Sequence, residues 1–115
     1  MKPILHITTK GAWETAISQQ TYRGDTLESE GFIHCSDPHQ IVGVANNFYR
    51  GQHGLMLLVI DPDRLTANVV YEDLYNAGQA FPHIYGPLNL DAVIKVVDFP
   101  PEEDGTFTLP EMLVN

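Results

Sequence analysis

Two histidines stand in short apolar segments framed by glycine and proline, Gly31-Phe32-Ile33-His34-Cys35-Ser36 and Phe81-Pro82-His83-Ile84-Tyr85-Gly86-Pro87, in a chain with five histidines in all. Imidazole is costly to bury without a partner and titrates near neutral pH, so both positions suit proton transfer or a hydrogen bond to a ligand. His6, in Ile4-Leu5-His6-Ile7-Thr8, is a third candidate. If His6, His34 and His83 converge, three imidazoles suit zinc, and two of them with a carboxylate such as Glu72 suit iron. No ligand spacing of the His-x-Glu-x-x-His kind accompanies them, which weighs against a metal. A structural role is the other reading, in which each ring bonds the backbone and braces a sheet.

The strands that carry these residues set what they can meet. Side chains alternate along a strand, so over residues 32–35 Phe32 and His34 share one face, and Ile33 and Cys35 the other. Cys35 therefore does not form a thiol–imidazole pair with its neighbour His34, and it reads as an inert core thiol. Ser36 precedes a helix start, where free backbone N–H groups favour anions. If the second segment is extended, His83 and Tyr85 share a face and Ile84 anchors the chain to the core. The rigidity of Pro82 and Pro87 suits a site and a tight crossover equally. Ile4, His6 and Thr8 share a face of a strand over 4–8, while His39 and His53 read as surface residues.

Around these segments the sequence predicts a helix over 10–19, capped by Thr8 or Thr9 and packed through Trp13, Ala16 and Ile17. A loop over 20–30 follows, with room for a brief strand at 21–23. Asp37-Pro38-His39-Gln40 predicts a capped helix over 38–49 that packs through Ile41, Val44, Ala45 and Phe48 and ends before Gly51. The unbroken apolar run 55–60 predicts a central strand buried on both faces. Further strands are expected over 68–72, 93–99 and, past an acidic turn at 102–105, over 106–109. Two main helices and five or six strands make a single α+β domain over 1–115.

Composition narrows the function classes. At 43% hydrophobic and 18% charged residues the chain is an ordinary globular sequence, and 115 residues is one domain's worth. The longest apolar run is too short to cross a bilayer and the first residues do not read as a signal peptide, so a cytoplasmic location is expected. Cys35 is the sole cysteine, which excludes an internal disulfide and a multi-thiolate zinc site. The net charge of −9, with six scattered basic residues against 15 acidic ones, argues against nucleic-acid binding.

Tyr22-Arg23-Gly24, then Glu30-Gly31-Phe32-Ile33-His34-Cys35-Ser36, then Phe81-Pro82-His83-Ile84-Tyr85-Gly86-Pro87-Leu88 closely resemble, in that order, the signature of the bacterial domain-of-unknown-function family 952. Leu5-His6-Ile7-Thr8-Thr9 followed by Trp13 resembles that family's start, so the resemblance covers nearly the whole chain. It implies a fold similar to that of ADP-ribosyltransferases, a small α+β domain whose split, mostly antiparallel sheet holds a cleft for NAD or an ADP-ribose-like group. Transferring enzymes of that fold generally use a His or Arg on an early strand, a Tyr or Ser on a following one and a Glu late in the chain. The resemblance puts His6 in the first place and Ser36 in the second, and no late Glu stands in a matching motif. The stretch from Tyr22 through Ser36 is also weakly similar to a region of RNA 2'-phosphotransferases, which take NAD as acceptor. Arg23 is the only basic residue within any of these motifs, which disfavours an RNA substrate.

The expectation is a small-molecule cleft lined by His6, Arg23, His34, Ser36, His83 and Tyr85. Arg23 and Ser36 would hold a phosphate, and His34 or His83 would polarise or protonate the reacting group. The ligand would be NAD, ADP-ribose or a related phosphate compound. Alternatives are a non-catalytic binding or regulatory module with structural histidines, and a histidine-based metal site.

Overall fold

The computed structural model describes residues 2–113 of the domain expected over 1–115. Ile4–Thr9 forms β1, which passes directly into helix α1, Lys10–Gln19. Thr9 caps that helix, its hydroxyl accepting from the Ala12 N–H at 3.1 Å. Of the three residues expected to bury α1, Ala16 is buried and Trp13 half-buried, whereas Ile17 is 54% exposed. The helix rests on one side of its stripe only, so the residue at the edge of that stripe faces water.

The apolar run becomes β3, Leu55–Ile60, placed between β1 and β6, Val93–Asp98, and antiparallel to both. Pairing of Leu5 with Val59 and Ile7 with Leu57 puts these four on one face, while Ile4, His6, Leu58 and Ile60 share the other. Both faces are covered, which is why the central strand carries no polar alternation. Beneath the first face lie Ile41 and Ala45 of α3, Ile41–Phe48, together with Phe99 and Phe107. Each fully buried leucine or isoleucine here contributes about 1.5–3 kcal/mol.

Over the second face packs another antiparallel sheet, ordered β2-β5-β4. Its strands are Ile33–His34, Phe81–Tyr85 and Asn68–Glu72 respectively. Ile33, Cys35 and Ile84 enter the core between the two sheets. The glycine- and proline-framed second motif is thus the central strand of this sheet rather than a crossover. Pro82 fits because its carbonyl accepts from the Cys35 N–H at 3.0 Å. Having no N–H, it cannot return the paired bond, and the β2 ladder stops at two residues where four were expected. The chain then changes sheets, Ser36 exchanging both backbone hydrogen bonds with Leu5.

Other elements differ from the sequence reading. Within 20–30 there is a one-turn helix α2, Leu27–Glu30, and Tyr22 forms an isolated bridge with Leu88. The helix expected from 38 begins at Ile41, because Asp37 does not cap it: its carboxylate accepts from the Tyr71 hydroxyl at 2.8 Å. Gln40 does accept from the Asp37 N–H, half of the expected capping arrangement, but its amide N–H groups reach Ala80 O and Gln79 Oε1. Phe48, expected in the packed face of α3, is 77% exposed. Residues 106–109 are not a strand: the Phe107 N–H donates to Asn46 Oδ1, so this segment is held by a helix side chain instead of a sheet edge.

Candidate functional site

The site begins at Gly31. Its φ of +88° is a left-handed conformation that closes α2 and redirects the chain into β2. Glu30 is thereby left beside the strand, and Phe32 and His34 point to the outer face, away from Ile33 and Cys35. In the neighbouring strand His83 lies directly opposite His34, so both imidazoles share that face with Phe81 and Tyr85. On β4, Val70 pairs with His83 and Glu72 with Phe81, which adds the Glu72 carboxylate to the same face.

Two carboxylate–imidazole pairs result. Glu72 Oε2 meets His83 Nδ1 at 2.8 Å and also accepts from the Tyr85 hydroxyl. Glu30 Oε2 meets His34 Nε2 at 3.1 Å, while Glu30 Oε1 accepts from the Tyr75 hydroxyl at 2.6 Å. Phe32 binds the two halves together, stacked on His83 at a centroid distance of 4.2 Å and edge-on to His34 at 4.9 Å. The two imidazoles themselves are 5.2 Å apart, edge to face. His83 is 2% exposed, and among the described residues no hydrogen-bond partner meets its Nε2. Hydrogen bonds from Tyr85 and His83 hold the Glu72 carboxyl below the usual carboxylate range, and those from Tyr75 and His34 do the same for Glu30. Both acids are therefore anions at neutral pH.

His6 stands behind this face, on the core side of the junction between the sheets. Its Nδ1 meets the His34 carbonyl at 2.5 Å, and its Nε2 lies 2.7 Å from the Tyr22 hydroxyl, itself 3.0 Å from Thr8 Oγ1. Burial lowers the pKa of His6 to about 4, against a smaller opposing pull from the His34 carbonyl, so the ring is neutral. A neutral imidazole has one N–H. Since a carbonyl can only accept, that proton sits on Nδ1, and Nε2 accepts from the Tyr22 hydroxyl. Burial likewise pushes Tyr22 up to about 12, so it stays a phenol able to donate.

A cleft of about 1170 Å³ opens beside β1, between α1, α3 and the segment 21–26. Its lining includes His6, Arg23, His34, Ser36 and His83, five of the six residues expected there. Tyr85 lies outside the lining and reaches the site through Glu72. Arg23 is exposed. Ser36 is buried 4% exposed, five residues before the first helical residue of α3, so no helix N-terminus stands beside it. Cys35 lies on the opposite side of β2, and burial pushes its thiol far above the ordinary range, which agrees with an inert core residue. Among the described residues no three His, Cys, Asp or Glu side chains are grouped as a metal ion would need.

The sequence reading quoted Glu30 within a motif without giving it a role, missed Tyr75, and considered Glu72 only beside a metal. Glu72 shares one face of β4 with Val70, and the pairing that sets this face against His83 is long-range and leaves no local mark.

Residues 7–96 match a family model described as "Protein of unknown function (DUF952)". Two crystal structures of the protein CC0527 from Caulobacter crescentus superpose with a TM-score of 0.86 at 28% and 29% identity, covering 96% of this chain and 97% of that one. The solution structure of CC0527 matches with a TM-score of 0.76, 28% identity and 97% coverage of both chains. No curated protein matches the sequence. Among the described residues no helix is long and apolar enough to cross a membrane.

Proposed function

Because the chain belongs to the DUF952 family, whose description assigns no activity, we propose its function from the site itself: a cleft that binds a phosphate-containing small molecule of the NAD or ADP-ribose class and carries out proton transfer through His83 and His34. One observation carries this reading. His83 is buried, bonded to an anionic carboxylate through Nδ1, and keeps Nε2 unpartnered among the residues of the cleft. A carboxylate behind one nitrogen leaves the other as a proton acceptor, the arrangement a general base requires. His34, 5.2 Å away and more exposed, supplies the complementary proton from Nδ1 when its ring is the imidazolium, with Nε2–H held by Glu30. Arg23 and the Ser36 hydroxyl supply a cation and a donor for phosphate oxygens.

Two stacked antiparallel sheets with a cleft at their junction support an ADP-ribosyltransferase-like fold, and with it a transferase activity on an NAD-derived group. In this reading His6 is part of the frame, since both its nitrogens are engaged. Titration calorimetry with NAD and ADP-ribose tests the proposal. At least one should bind, and Arg23→Ala and His83→Ala should each weaken it about tenfold or more, the equivalent of about 1.4 kcal/mol. Absence of binding by either compound, or undiminished affinity in a folded His83→Ala protein, would sink it in favour of a binding module braced by its histidines.

A further inference from the structure

Glu72 and Glu30 hold their imidazoles by opposite nitrogens, Nδ1 in His83 and Nε2 in His34. Opposite attachment has a chemical consequence. A neutral imidazole bonded to a carboxylate keeps its proton on the nitrogen facing that carboxylate, so the other nitrogen carries the lone pair. We infer that Glu72 and Glu30 are positioning residues that lock His83 and His34 in opposite tautomers, so that His83 presents Nε2 and His34 presents Nδ1 to a bound molecule. The inference deepens the cleft reading above and names residues outside the motif histidines.

Three observations support the lock. His83 and His34 are fixed opposite each other by sheet register, so their backbones cannot turn the rings away. Phe32 stacks flat on the His83 ring, an interplanar angle of 20°, and closes one side of it to rotation. Each carboxylate is in turn held by a tyrosine hydroxyl, Tyr85 on Glu72 and Tyr75 on Glu30, which orients the acceptor oxygen. Tyr75 also lies against His34, at a centroid distance of 6.1 Å. Both imidazoles thus sit in matched Tyr–Glu–His arrays about one phenylalanine, and the arrays differ in which ring nitrogen they consume.

Ligand is not needed to test this, so the result is independent of whether NAD or ADP-ribose binds. Nitrogen-15 chemical shifts of the imidazoles, followed through two-bond couplings to the ring protons, identify the protonated nitrogen of each neutral ring. Above the imidazole titration, His83 should carry its proton on Nδ1 and His34 on Nε2. Glu72→Ala should convert His83 to a mixture dominated by Nε2–H, while Glu72→Gln, which retains an acceptor oxygen, should preserve the Nδ1–H form. Glu30→Ala should release His34 and leave His83 unchanged. A backbone amide spectrum close to the parent's establishes that each variant is folded. Finding Nε2–H in His83 of the parent protein, or an unaltered His83 tautomer in folded Glu72→Ala, would overturn the inference. Should Glu72→Ala fail to fold, the parent assignment and the Glu72→Gln protein still decide it.

Discussion

His6 offers a sharp quantitative test of the distinction between frame and site. In the folded protein its pKa falls from 6.5 to about 4 because the ring is buried. The folded pKa is depressed, so the native state resists protonation while the unfolded chain accepts it. The stability that depends on neutral His6 is therefore complete above pH 6.5 and is lost as pH falls towards 4. Within that window each pH unit costs about 1.4 kcal/mol, and the whole shift amounts to about 3 kcal/mol. Asparagine cannot take up this proton, yet its amide N–H suits the His34 carbonyl that now accepts from Nδ1. Urea unfolding of the parent and His6→Asn proteins at pH 7, 6, 5 and 4 isolates the effect, because the carboxylates titrate in both. His6→Asn should be less stable at pH 7, having lost the contact with Tyr22, but the gap should close by about 3 kcal/mol as pH falls to 4. Parallel stability curves would refute the argument. They would mean that His6 can be protonated in the folded state, and hence that its nitrogens are open to solvent or ligand.

Phe32→Ala should cost about 3–5 kcal/mol, since Phe32 is buried, stacked on His83 and edge-on to His34, and chemical denaturation will measure it. Gly31→Ala should cost about 1–2 kcal/mol and lower the melting temperature, because φ is +88° while no atom stands within 4 Å of the added Cβ; an unchanged melting temperature would contradict the left-handed turn. Gly86→Ala should be destabilising on two counts, a φ of +155° and a 2.9 Å approach of the new Cβ to the Ala67 Cβ, and adding Ala67→Gly should recover only the part due to the contact. Cys35 borders the cleft but is 4% exposed, its thiol pushed up by burial, so it should react with a disulfide reagent only when the protein is unfolded, and rapid modification of the native state would refute its inertness.

Local signals were read correctly where one element supplies them. The apolar run 55–60 had to be a strand covered on both faces, and alternation put Phe32 with His34 and His83 with Tyr85. The errors fall where a distant group takes over a local one. Asp37 has the composition of a cap, but Tyr71 claims its carboxylate, and the helix begins later. Thr106 to Leu109 have a strand's composition, yet Asn46 rather than a sheet edge receives the backbone. Phe48 has the spacing of a packed residue and is exposed beside the cleft, where α3 has no neighbour to cover it.

Pro82 shows why the site itself was harder to read than the fold. Proline in a sequence argues against a central strand, since it lacks the N–H that one of its two neighbouring strands would use. Here that missing donor faces Cys35, at the point where the chain leaves the second sheet for the first, so the absence ends a ladder instead of breaking one. The same departure places Ser36 against Leu5 and brings the His34 carbonyl within reach of His6. One residue that cannot donate thus fixes where two sheets exchange a strand, and the cleft opens beside that exchange. The histidines announce themselves by type, but the carboxylates that orient them become visible only through the register of β4 and β5 and the turn at Gly31. Under the proposed tautomer lock, Glu72 and Glu30 are accordingly the residues on which the two histidines depend most and which composition marks least.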